Sequence, residues 1–191
     1  MKKLSSFLIL FAGLFLIIAN GAAGDLNFKL KSLEGKGRVE LAKALETGPV
    51  LVAFWATWCH PCQDELVQLQ KIYQTYKDSG ITFYAISIDD AKTAGKVKAV
   101  AAGKRITMPV LLDPEQEAMQ AFGLANVPGV FIVGKDGKLL YQHTGYKPGD
   151  EAGLEEAVKA AAGLSPRPRH CQPADSIPVC DSTCVSGKEN K

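Results

Sequence analysis

The 191-residue chain lacks an excess of charge of either sign and is poor in cysteine, and these absences exclude several classes of protein. Lysine and arginine number 22 against 20 aspartates and glutamates, and two of those cations, Lys2 and Lys3, precede the first apolar segment. The remainder has no net charge, so no overall field attracts nucleic acid or acidic substrates. Five cysteines are too few for a small scaffold built on disulfides. With 47% hydrophobic and 22% charged residues, the composition indicates one globular domain, neither disordered nor polytopic.

The longest stretch without charged residues lies at the N-terminus. A basic start at Met1–Lys3 is followed by an apolar run over residues 7–19 and by small residues before Asp25. This pattern is typical of a secretory signal cleaved after Ala23. An uncleaved anchor is the alternative, since the 20 uncharged residues from Leu4 to Ala23 could just span a bilayer. Either form predicts a periplasmic or otherwise extracytoplasmic chain, in a compartment that permits disulfides.

Residues 24–164 form the predicted domain, after a signal or anchor over 1–23 and before a proline- and cysteine-containing tail over 165–191. Buried strands and helices alternate in this domain, and it ends in a hairpin and a helix. The predicted elements are a hairpin within 28–41, a short helix at 41–46, strands at 49–55, 81–88 and 109–112, helices at 61–77, 91–105 and 115–122, a hairpin within 130–144 and a helix at 150–162. This order predicts a mixed α/β sheet covered by helices.

The segment Trp58-Cys59-His60-Pro61-Cys62 lies between the first buried strand and the helix that follows it. Unpaired amides and the helix dipole favour a thiolate at Cys59, and Pro61 suits a first turn. Cys62 lies one turn deeper on the same face, near enough to close a disulfide with Cys59. An accessible thiolate beside a buried thiol is what thiol–disulfide exchange requires.

Other interpretations of this segment are weaker. His60 either adds positive charge near Cys59 or merely faces solvent. An inert structural disulfide and half of a metal site are alternatives. Both are disfavoured because the motif starts a helix and the domain holds no second cysteine pair.

The segment from Phe54 to Cys62, FWATWCHPC, resembles the active site of thioredoxin-like proteins, in detail that of the extracytoplasmic TlpA/ResA subgroup, and the resemblance extends over about residues 26–163. It implies a thioredoxin fold: a mixed central sheet flanked by helices, with an N-terminal β-hairpin and an inserted helix near 91–105. It also implies Cys59 as the nucleophile, Cys62 as the resolving cysteine, and a cis-proline facing their disulfide, which Val127-Pro128 matches. No cofactor is implied, because the dithiol carries the electrons.

The subgroup also has an acid at the end of the second long strand that helps to move the proton of the buried cysteine. Of the adjacent Asp89 and Asp90, Asp90 is the better match, and an apolar setting would raise its pKa; a solvated turn is the alternative. Glu65 matches another family position, with an ordinary first-turn acid as the alternative. The chain departs from the family at Val67, where a helix proline is common, and at Gly129, where threonine is common, which predicts a barer substrate-facing backbone.

These patterns predict an enzyme, a secreted or anchored thiol-disulfide oxidoreductase that exchanges its Cys59–Cys62 pair with cysteine-containing extracytoplasmic proteins. The resemblance implies a reductant role in cytochrome c maturation or related disulfide reduction, with apocytochrome c as one client and a membrane thiol-reductant transporter as electron donor. The alternatives are an oxidant that donates disulfides and an SCO-like copper carrier. The copper carriers usually have three residues between their cysteines, whereas this chain has two.

The tail contains the other three cysteines, Cys171, Cys180 and Cys184. Together with His170 they match no standard zinc spacing, so no metal site is predicted. We expect one disulfide among them, most simply between Cys171 and one of the other two, with one thiol left over.

Overall fold

The computed structural model describes residues 26–35 and 37–164, so the predicted signal or anchor and the tail lie outside the described residues. In this part of the chain the strands are β1 (Lys29–Ser32), β2 (Arg38–Glu40), β3 (Val50–Trp55), β4 (Thr82–Ser87), β5 (Val110–Leu112), β6 (Gly129–Val133) and β7 (Leu139–Thr144). The helices are α1 (Leu41–Leu45), α2 (His60–Tyr76), α3 (Ala94–Gly103), α4 (Glu117–Ala121) and α5 (Asp150–Ala161). Within these ranges, no helix combines the length and apolar character that crossing a bilayer needs.

The seven strands form one mixed sheet in the order β2-β1-β5-β4-β3-β6-β7. Strands β3, β4 and β5 run parallel, whereas β1, β2, β6 and β7 make antiparallel pairs. The α/β class with a mixed central sheet is therefore confirmed, as are the N-terminal hairpin and the inserted helix. Trp55 pairs with Ser87, and Ser87 with Leu112. The three parallel strands thus end together at one edge, where parallel sheets usually carry their sites.

Helices cover both faces of the sheet, which explains why all six residues of β3 are buried. Right-handed crossovers place α2 and α3 on the same face. Gln70 of α2 ties this layer together, since its side chain bonds both the backbone N–H and the hydroxyl of Thr107, beyond α3, at 2.8 and 2.7 Å. On the opposite face, Phe122 follows directly after α4 and belongs to an aromatic cluster. The ring centroids in contact within this cluster lie 5.1–6.5 Å apart, and its members are Phe28, Phe54, Phe122 and Phe131.

Gly48 permits a close backbone approach where the two central strands begin. A Cβ atom at this position would lie 2.1 Å from the carbonyl oxygen of Gly80. Next to this contact, the N–H of Thr82 donates to the carbonyl of Pro49 at 2.9 Å. Because every other residue carries a Cβ, only glycine fits position 48 without moving the start of β4.

We expect Gly48→Ala to lower the free energy of unfolding by roughly 1–3 kcal/mol, because the backbone of Gly80 must move. The matched control is Gly153→Ala on α5, where a Cβ meets no atom within 4 Å. That variant should be neutral, or stabilising by up to about 1 kcal/mol. Urea unfolding of both variants checks this, and equal stabilities would contradict the role of Gly48.

Candidate active site

The sulfur of Cys59 occupies the N-terminal end of α2. Cys59 is the N-cap residue, with extended backbone angles (φ −96°, ψ 102°), and Pro61 lies in the first turn. The backbone N–H of Cys62 donates to Cys59 Sγ at 3.3 Å. An amide and the helix dipole therefore both point at this sulfur, and both stabilise negative charge on it.

Cys59 and Cys62 form a disulfide with their Cα atoms 5.3 Å apart. Cys59 is 8% exposed and Cys62 is fully buried. Trp58, next to Cys59, is 57% exposed, and His60 is exposed at the first position of α2. A thiol from another protein can therefore reach Cys59 but not Cys62, and it would meet Trp58 and His60 on the way.

The loop before β6 faces the disulfide. The Val127–Pro128 peptide bond is cis, which confirms the geometry that the resemblance implies. The carbonyl oxygen of Val127 lies 4.0 Å from Cys59 Sγ. The structure thus brings Cys59, Cys62, Val127 and Pro128 together from two segments of the chain that lie far apart in the sequence.

Asp90 does not lie where the sequence predicted, and the expectation of a raised pKa is wrong. Its side chain is exposed and turns toward the start of α3, where it accepts hydrogen bonds from the backbone of Lys92 at 2.9 Å and of Thr93 at 3.2 Å. The hydrogen bond from Lys92 lowers the pKa of Asp90 below its ordinary value. Asp90 is the solvated turn residue that was the alternative.

Asp89, which was the poorer match to the family position, is the acid that faces the active-site loop. It is 1% exposed, and its carboxylate accepts hydrogen bonds from the N–H of Thr57 at 2.9 Å and from the Thr57 hydroxyl at 2.5 Å. Both aspartates follow a buried strand, so the sequence signal was present. Polarity alone did not indicate which of the two turns inward.

Glu65 lies on α2, three residues beyond Cys62, and is 5% exposed. Burial, followed by the nearby charge of Asp150, raises the pKa of Glu65 to about 8. Glu65 is one of the residues that line a cavity of about 10 Å³. His143 and Asp150 also line this cavity, and His143 Nε2 lies within hydrogen-bond distance of Asp150 Oδ2, at 3.2 Å.

The expectation that Gly129 exposes the substrate-facing backbone is wrong. A Cβ at this position would lie 2.7 Å from both terminal methyl carbons of Leu124, and Leu124 is buried. The missing side chain would therefore point into the core. Glycine at this position makes room for Leu124.

Similarity to known proteins agrees with this geometry. The AhpC/TSA family matches residues 23–142 of the chain. The thiol-disulfide oxidoreductase ResA of Bacillus thuringiensis subspecies konkukian is 32% identical over 133 residues, which cover 70% of this chain and 73% of that protein. ResA of Bacillus subtilis strain 168 is 30% identical over 119 residues, which cover 62% of this chain and 64% of that protein.

Solved structures are similar in fold. A Chlorobium tepidum structure described as thiol:disulfide interchange protein DsbE has a TM-score of 0.65 and is 28% identical in sequence. The matched region covers 72% of this chain and 94% of that chain. A thioredoxin-like protein from Porphyromonas gingivalis has a TM-score of 0.59 at 37% identity, covering 73% and 92%. The thioredoxin fold that the resemblance implied is thereby confirmed.

The raised pKa of Glu65 predicts that the stability of the oxidised protein depends on pH. The folded protein retains a proton up to about pH 8, whereas the unfolded chain loses it near the ordinary value of 4.5. Stability should therefore fall as pH rises between these values, by on the order of a few kcal/mol. Glu65→Gln should remove this fall.

Urea unfolding of the oxidised protein at pH 5, 6.5 and 8 measures this dependence. The control is Glu156→Gln on α5, whose side chain is 62% exposed, and this variant should keep the wild-type slope. If Glu65→Gln also kept the wild-type slope, burial of a protonated Glu65 would be refuted.

Proposed function

The chain belongs to the AhpC/TSA family and is a thiol-disulfide oxidoreductase of the ResA type, and from that premise we propose that it reduces disulfides in extracytoplasmic proteins. The direction of exchange rests on the resemblance to the TlpA/ResA subgroup, and the observation that carries the exchange chemistry in this proposal is the position of the Cys59 sulfur. It lies at the N-terminus of α2, paired with the buried Cys62 and facing the carbonyl of Val127. The segment at residues 1–23 supports export, as a cleaved signal or as an anchor.

In the proposed reaction the reduced enzyme attacks through Cys59. The Cys59 thiolate forms a bond to one sulfur of the client disulfide, and the other client sulfur leaves as a thiolate. Cys62 then attacks Cys59 in the mixed disulfide, which closes the Cys59–Cys62 bond and releases the second client sulfur. Two electrons pass to the client, and a membrane thiol-reductant transporter returns two to the enzyme.

Glu65 is the proposed acceptor for the proton of Cys62. The two residues lie three positions apart on α2 and share a face of the helix. A thiol has a pKa near 8.5, and the raised pKa of Glu65, about 8, nearly matches it. Proton transfer is most efficient between groups of similar pKa. Because a protonated Glu65 cannot accept a second proton, it is the ionised form of Glu65, whose fraction grows as pH rises toward about 8, that takes the proton as Cys62 attacks and returns it when the pair is reduced again.

The client is proposed to lie along the loop of Val127 and Pro128. The Val127 carbonyl faces the disulfide, so an extended client segment can add its backbone hydrogen bonds beside it, as in β-strand addition. The exposed indole of Trp58 offers an apolar contact next to the attacking sulfur. Apocytochrome c, with its cysteine pair, is one client with the required chemistry.

Electrostatic effects of opposite sign act on the reduction potential of the Cys59–Cys62 pair, which sets the direction of electron transfer. The N-terminus of α2 and the N–H of Cys62 stabilise the Cys59 thiolate and make the pair more oxidising. The buried carboxylate of Asp89 disfavours additional negative charge nearby and makes the pair more reducing. Each effect is on the order of one kcal/mol, and for a two-electron couple about 30 mV corresponds to roughly 1.4 kcal/mol. The resemblance to the TlpA/ResA subgroup supports the reductant, and disulfide donation is the second candidate.

Trapping of mixed disulfides tests the two cysteine roles. Cys62→Ser should accumulate mixed disulfides between Cys59 and clients, because no resolving thiol remains. Cys59→Ser should accumulate none, because Cys62 is fully buried. Non-reducing gels of extracytoplasmic extracts show the adducts. The reverse pattern would overturn the assignment of the nucleophile.

The midpoint potential of the Cys59–Cys62 pair tests the direction. With Cys171, Cys180 and Cys184 replaced by serine, equilibration against glutathione should give a potential below about −200 mV, as in other reducing members of the fold. The unsubstituted protein is the control for any effect of the tail. A value near that of strong periplasmic oxidants, about −120 mV, would favour the disulfide donor instead.

A further inference from the structure

Thr57 links β3 to the nucleophilic cysteine, and all of its polar groups are held. Its backbone N–H and its hydroxyl both donate to Asp89. Its carbonyl accepts a hydrogen bond from Gln63 Nε2 at 2.8 Å. The chain between β3 and Cys59 is therefore fixed from two sides, by the end of β4 and by the first turns of α2.

Asp89 is built to hold this loop. Its two carboxylate oxygens meet three donors, because Ser87 Oγ also donates to Oδ2 at 2.8 Å. A carboxylate that accepts several hydrogen bonds in a buried position is held in one orientation. The register of the parallel strands, which pairs Trp55 with Ser87, places the end of β4 directly beside the loop.

The position of Gln63 extends the same arrangement to the helix. Gln63 directly follows Cys62, and its backbone N–H donates to the carbonyl of Cys59 at 3.2 Å while its side chain reaches back to Thr57. Asp89, Thr57 and Gln63 form what we name the loop clamp. Through it, Thr57, two residues before Cys59, and Gln63, immediately after Cys62, are fixed relative to each other.

We propose that Asp89 is a positioning residue for the redox reaction, which acts through Thr57 to hold Cys59 where it closes the disulfide with Cys62. Closure of a disulfide between two thiols depends on the effective concentration of one thiol at the other. A fixed loop raises that concentration, so the loop clamp favours the disulfide over the dithiol. This inference rests on the proposed function only in taking Cys59 and Cys62 as the redox pair.

Substitutions can separate the effect of the hydrogen bonds that Asp89 accepts from the effect of its charge. Asp89→Asn keeps an acceptor for the Thr57 N–H but removes the charge, whereas Asp89→Ala removes both. Thr57→Val keeps the charge and the backbone hydrogen bond but loses the hydroxyl. Thr57→Ser keeps every donor of the loop clamp, so it should restore what Thr57→Val loses.

The measurement is the equilibrium in which the oxidised protein and two glutathione molecules form the dithiol protein and glutathione disulfide, with the tail cysteines replaced. We expect Asp89→Ala to shift this equilibrium toward the dithiol by about tenfold and Thr57→Val by about threefold, because the loop loses restraint. Thr57→Ser should lie within about twofold of the parent protein. Asp89→Asn reports how much of the alanine effect comes from charge, and a shift equal to that of Asp89→Ala would refute positioning.

The matched control is Asp90→Asn, which changes the adjacent exposed acid and should leave the equilibrium unchanged. A residue that stabilises both redox forms equally does not move the equilibrium, so a loss of overall stability cannot mimic the effect. An unchanged equilibrium in both Asp89→Ala and Thr57→Val would overturn the inference. The proposed function is judged separately, by the client adducts that Cys62→Ser accumulates with the loop clamp intact.

Discussion

The N-terminus of α2 is the constraint around which the molecule is arranged, since it places a sulfur where a helix otherwise carries an oxygen cap. Cys59 accepts the N–H of Cys62 in the position that serine or aspartate commonly occupies. The fully buried strand β3 delivers the chain to this position. The cis Pro128 segment closes the other side of the sulfur. The backbone at the start of α2 therefore stabilises negative charge on the Cys59 sulfur, and the surrounding side chains determine which of the two sulfurs is accessible.

The three acids considered for a role at the redox pair differ in burial and in hydrogen bonding. Asp89 is buried, but hydrogen bonds satisfy it, so it acts as a structural anchor. Glu65 is also buried, but no hydrogen bond to another described residue compensates its charge, and its raised pKa keeps it protonated at neutral pH. Asp90 is exposed and caps a turn. Burial alone therefore does not predict the role of a carboxyl group, whereas burial together with its hydrogen-bond partners does.

The sequence predicted the elements and the redox pair because those signals are local. An apolar run indicated β3, helical spacing indicated α2, and the two cysteines with Pro61 defined the start of the helix. The direction of the Asp89 side chain, and the space available to a side chain at Gly129, depend on contacts that form only in the folded chain. Thr57 draws Asp89 inward across 32 positions, and Leu124 occupies the space beside Gly129. Neither contact leaves a trace in local periodicity.

The distribution of tryptophan gives the molecule an intrinsic optical reporter at its redox centre. The chain has two tryptophans, and both lie within four residues of Cys59. Trp55 is 1% exposed, with no hydrogen-bond partner for its indole N–H among the described residues, whereas Trp58 is 57% exposed. All tryptophan fluorescence of this protein therefore originates beside the disulfide, one component in an apolar environment and one in water. The emission of Trp55 reports on packing beneath the site, and that of Trp58 reports on what docks above it.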